Sequence, residues 1–128
     1  MAGLLTGYLR QAAARRFGYG TFDCGLLLAD WIAVRRGVDP AAQWRGRYCQ
    51  LDQVQSRRGG LVRLFTDLAR CAGLVPTRHP AVGDVALVSI AGAPVVGAIR
   101  VVRGFVVIAA GGGLSCAPAV RLARAWSV

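Results

Sequence analysis

What most constrains the fold is a change of pattern at Pro80. Before it, apolar residues recur at helical spacing; after it come runs of β-branched residues punctuated by glycine. Leu5, Tyr8, Leu9, Ala12 and Ala13 place a first amphipathic helix over about Leu4 to Arg16. A second runs from Cys24 to about Arg36, apolar nearly all round, and stops at Gly37 ahead of the Asp39-Pro40 turn signal. A helix that apolar belongs in the centre of a fold. A short helix is expected over Asp52 to Arg57, and a clearer one from Leu61 to about Ala72, with Leu61, Leu64, Phe65 and Leu68 as its apolar stripe. The second half predicts four or five short antiparallel strands over Asp84–Ile90, Pro94–Val102, Gly104–Ala110, Leu114–Cys116 and Ala125–Val128. Helices first and strands second make an α+β class, with N-terminal helices packed on a curled C-terminal antiparallel sheet.

The 128 residues suit one domain, 1–128, with a helical half over about 1–75 and a strand-rich half over about 80–128. Hydrophobic residues make up 55% and charged residues 17%, which argues against disorder and for a large buried or partner-covered surface. The opening Gly3-Leu4-Leu5-Thr6-Gly7 is too short for a secretion signal, and no window approaches the roughly 18 apolar residues of a membrane helix, so no integral membrane protein is expected. Cys24, Cys49, Cys71 and Cys116 are too widely spaced for a zinc knuckle or an iron–sulfur run. No metal and no cofactor is expected. Every basic residue other than His79 is arginine and every acidic one aspartate, giving a net charge of +10. Arginine pairs stand at Arg15-Arg16, Arg35-Arg36 and Arg57-Arg58; they suit helix ends as well as interfaces.

Phe22-Asp23-Cys24-Gly25 places one cysteine at the first turn of the central helix, where unpaired backbone N–H groups favour a thiolate. A cysteine hydrolase also requires a base within hydrogen-bond reach. The chain has a single histidine, His79, and it precedes the strand-rich half. The residues therefore favour Cys24 as a small apolar filler at the helix–sheet interface, with Asp23 as the helix cap. Asp30 either faces a polar groove or pairs with Arg35 or Arg36 at the helix end, and the pairing is the stronger expectation. Trp44, Arg45, Arg47 and Tyr48 form a basic, aromatic segment suited to binding a partner.

The cysteine motif, followed by Val82-Gly83-Asp84-Val85-Ala86-Leu87-Val88, resembles the NlpC/P60 peptidases. The chain is most similar to an NlpC/P60-like group of tailed-phage and prophage tail modules, through Asp39-Pro40, Arg45-Gly46-Arg47-Tyr48 and Arg124-Ala125-Trp126-Ser127-Val128. The resemblance implies a papain-like core, with Cys24 at the nucleophile position and Gly83-Asp84 opening the first strand of the sheet. It also implies a histidine where Val95-Val96-Gly97 stands, so Val95 occupies the histidine position, and a third polar residue near Ala109 or Ala110. Two of three catalytic roles are thus empty, and the members of such a unit act together.

On this resemblance the expected function is that of a structural or adaptor component of a bacteriophage tail tip, built on a catalytically degenerate domain. Its partners would be other tail-tip or hub proteins and, secondarily, peptidoglycan or the cell envelope. It would be made in the host cytoplasm and reside in the virion tail. The alternative is a cysteine endopeptidase of peptidoglycan stem peptides, with a base supplied unusually or by another chain. Nucleic-acid binding, suggested only by charge and by the aromatics of the Trp44–Tyr48 segment, ranks last.

Overall fold

The computed structural model describes residues 2–18, 22–43, 45–46, 60–109 and 112–128. The expected short helix at Asp52–Arg57 lies outside them. Among the described residues the chain is α+β, with three helices and a six-stranded antiparallel sheet: α1 (Ala2–Ala13), α2 (Cys24–Arg36) and α3 (Gly60–Cys71), then β1 (Val75–Pro76), β2 (Val85–Ser89), β3 (Val96–Val101), β4 (Gly104–Ile108), β5 (Leu114–Ala117) and β6 (Arg121–Ser127). The sheet order is β1-β6-β2-β3-β4-β5. No described helix is long and apolar enough to cross a membrane.

α1 ends three residues before the expected boundary. Its last turn tightens into i→i−3 bonds, with Ala14 N–H donating to the Gln11 carbonyl and Arg15 N–H to that of Ala12. α2 has the expected limits because both ends are capped. The Asp23 carboxylate accepts from the Leu26 N–H at 2.9 Å, and Gly37 adopts φ 71° while donating to the Ala33 carbonyl.

β1 was not foreseen. It is two residues long and includes a proline, which cannot donate to a ladder and is therefore confined to a sheet edge. β6 begins four residues earlier than the expected Ala125, since Arg121 and Arg124 hide its strand character. It pairs with β2 through a bulge: Leu87 faces Arg124, whereas Val88 faces Leu122.

The sheet is apolar on both faces. Val85, Leu87, Ile99 and Trp126 pack with Leu27, Leu28, Trp31 and Phe65 of the helices. The alternate residues Ala86, Val88, Ala98, Phe105, Val107 and Ala125 form a second apolar layer. Tyr8 tilts against Trp31 with ring centroids 5.4 Å apart, and Phe65 against Trp126 at 5.3 Å.

Candidate functional site

Cys24 is the first residue of α2, next to the Asp23 cap, and α2 crosses β3 at this point. The crossing is close because Gly97 carries no side chain: a Cβ there would overlap the Cys24 carbonyl and press on Leu28. The helix start and β3 are therefore in backbone contact, with the half-buried cysteine at the junction. Burial pushes its thiol pKa up; the Gly97 N–H beside the sulfur opposes this, and the neighbouring Asp23 carboxylate adds to it. Desolvation is the largest of these effects, so the site disfavours the thiolate that a nucleophile needs.

Val95 lies two residues before Gly97 and so shares its side of the β3 segment. It is half-buried and packs on the main core. A valine side chain can neither take nor give a proton. Ala109 is half-buried, its N–H donating to the Gly113 carbonyl at 3.0 Å, while Ala110 lies outside the described residues. His79 is exposed in the loop after β1, and its N–H donates to Thr77 Oγ1 at 3.1 Å. β6 and β2 stand between β1 and the β3 strand that meets Cys24. Among the described residues no group of three or more His, Cys, Asp or Glu side chains is placed to hold a metal ion.

Gly83-Asp84 acts as a clamp on the sheet. The indole N–H of Trp31, fully buried in α2, donates to the Gly83 carbonyl at 2.6 Å. Gly83 N–H donates to the Arg100 carbonyl and Arg100 N–H to that of Asp84, both at 2.9 Å. Asp84 is 7% exposed, and its carboxylate accepts from the N–H groups of Ala81 at 2.8 Å and Val128 at 3.2 Å. One motif thereby ties α2, β2, β3 and the end of β6 together.

Asp30 does not pair with Arg35 or Arg36, as the sequence suggested. It takes Arg15 at 2.6 Å on one oxygen and Arg45 at 2.5 Å on the other, while Arg45 also forks onto Asp39. The correction has a geometric cause: Asp30 sits mid-helix, level with the chain leaving α1 and the chain following α2, and those segments bring the closer guanidinium groups. Arg45 holds the Asp39 carboxyl below its ordinary range. Of the four residues expected to bind a partner, Arg45 is therefore engaged by two carboxylates of its own chain, and Trp44, Arg47 and Tyr48 lie outside the described residues. The aspartate hub and the Gly97 crossing escaped the sequence because each depends on contacts between segments far apart in the chain.

One family model matches the chain, described as "Domain of unknown function (DUF6950)", over residues 2–128. No curated protein and no solved structure matches it.

Proposed function

The chain belongs to this family of unknown function, and we propose that it is a structural or adaptor component of a bacteriophage tail tip, built on an NlpC/P60-like domain without hydrolytic chemistry. The observation that carries the non-catalytic part is the surroundings of Cys24. Gly97 presses against its backbone, Val95 stands where the resemblance calls for a base, and desolvation raises its thiol pKa. No histidine stands at that position for the general-base step that activates a cysteine nucleophile. The assignment to a phage tail rests on the sequence resemblance. Supporting the same core, the helix bearing Cys24 packs on the strand after the one that Gly83-Asp84 opens. On this reading the product of the domain is an interface with other tail-tip or hub proteins in the virion, after synthesis in the host cytoplasm.

The test is to purify tail particles and the isolated protein in parallel. The protein is expected in the particles, and neither the wild type nor Cys24→Ala is expected to cleave peptidoglycan stem peptides as followed by mass spectrometry. Cleavage by the wild type that vanishes in Cys24→Ala would establish the endopeptidase instead. Absence from purified tails would remove the adaptor assignment.

A further inference from the structure

The described acidic residues of this chain are each engaged within its own fold. Asp23 caps α2, Asp30 and Asp39 hold Arg15 and Arg45, Asp67 pairs with Arg63, and Asp84 accepts from buried backbone groups. Asp52 lies outside the described residues. Beyond Asp84 the sequence has no acidic residue at all, yet it has Arg100, Arg103, Arg121 and Arg124. The sheet beyond Asp84 thus carries four arginines and no acidic side chain.

The β6 bulge concentrates that charge. In a regular strand, residues three apart point to opposite faces. Here Arg124 faces Leu87 and Arg121 faces Ser89, two residues apart on β2, so both arginines fall on one side of the sheet. β1 pairs with β6 at Val75–Ser127 and Pro76–Trp126, and the register continues through Thr77, whose N–H donates to the Ala125 carbonyl at 2.9 Å. Arg78 follows in the bend just after Thr77, at the same edge of the sheet. All three arginines are exposed, and no ion pair to any of them occurs among the described residues. Like charges gathered on one side of a sheet repel one another, and an anion seated beside them removes that cost.

The edge leads into an open cavity of about 460 Å³ lined by Ser89, Ala91, Gly92, Ala119, Val120 and Arg121. The open cavity therefore adjoins a group of exposed cations, Arg121 on its rim and Arg124 and Arg78 along the edge. The described residues of this edge expose no aromatic ring on which a nucleic-acid base could stack. We propose that the β1–β6 edge is the docking surface for an acidic polypeptide segment of a partner protein, its carboxylates on Arg78, Arg124 and Arg121 and an apolar side chain in the cavity. This deepens the adaptor reading and rests on it for the choice of a protein as the partner.

The experiment measures fluorescence anisotropy of the full chain with a labelled peptide of alternating Glu and Val. A Gln/Val peptide and single-stranded DNA of the same charge serve as comparisons. Binding of the Glu/Val peptide should weaken with salt and fall roughly tenfold in the triple variant Arg78→Gln, Arg121→Gln, Arg124→Gln, the combined effect of three exposed ion pairs. It should recover with lysine at the same positions and stay within about twofold in Arg16→Gln, Arg35→Gln, Arg36→Gln, which removes as much charge elsewhere. Amide chemical-shift changes in the unmutated protein should centre on the β1–β6 edge and the cavity, a readout that needs no variant to fold. The proposal is overturned by no binding, by equal losses in the two glutamine triples, by equal binding of the Gln/Val peptide, by shift changes elsewhere, or by tighter binding of DNA. Stem-peptide cleavage would sink the adaptor reading and leave this binding result to be judged on its own.

Discussion

Gly97 is the residue on which the helix–sheet junction turns. Any Cβ there meets the Cys24 carbonyl, so Gly97→Ala must push α2 off β3. We expect a loss of about 1–3 kcal/mol, the ordinary cost of overpacking, seen as a lower urea midpoint with an unchanged slope. Cys24 itself should resist alkylation at neutral pH, because burial raises its thiol pKa. A rate–pH profile with iodoacetamide should show its midpoint above that of a free cysteine, whereas a midpoint below neutrality would mean an activated nucleophile. Val95→His extends the test. If Val95 occupies the lost base position, the imidazole should shift that profile toward lower pH, and an unchanged profile would show that residue 95 does not reach the thiol. The cysteine and its aspartate cap were legible in the sequence, since helix starts obey local rules. The glycine that admits them was not, because only the folded pairing of α2 with β3 gives it a neighbour.

At the level of elements, local signals again succeeded and long-range ones failed. α2 was readable to both its ends because Asp23 and Gly37 are side-chain and backbone caps written next to it. β1 and the first half of β6 were not: one is too short and the other too basic to show alternation, and each is a strand only because the other, or β2, lies beside it. The partner of Asp30 was misjudged for the same reason, a sequence neighbour being preferred to two spatial ones. Trp31 supplies the test at this scale. Trp31→Phe keeps most of the apolar volume but leaves the buried Gly83 carbonyl without its donor, at an expected cost of about 1–3 kcal/mol. Asp30→Asn should leave the core intact while loosening the segment after α2, read as faster proteolysis near residues 37–46.

For the whole molecule, pH dependence follows from groups buried in their neutral forms. Cys24 and Tyr8 both have raised pKa values, chiefly through burial, and the Tyr8 hydroxyl donates to the Leu27 carbonyl at 2.6 Å. A group whose folded pKa is raised contributes stability that is complete below its unfolded pKa. That contribution is lost as pH rises, because the unfolded chain releases the proton first. Thermal midpoints should therefore fall from about pH 8.5 upward, first through the thiol and then through the phenol, and Cys24→Ala should flatten only the first part of the decline. Asp39, whose pKa is lowered by Arg45, acts in the opposite sense: its contribution fades in acid. The position of β6 has a further consequence, for the order of events during synthesis. Strands β2 to β5 follow one another as a meander and can pair as soon as they leave the ribosome. β6 is made after them but inserts between β1 and β2, so until it arrives the first edge of the sheet has nothing to hold and β2 lies open on one side. The nascent chain must carry this half-paired apolar strand from Ser89 until Arg121 and beyond are made, and pairing of β6 with β2 is the step on which solubility during expression should depend.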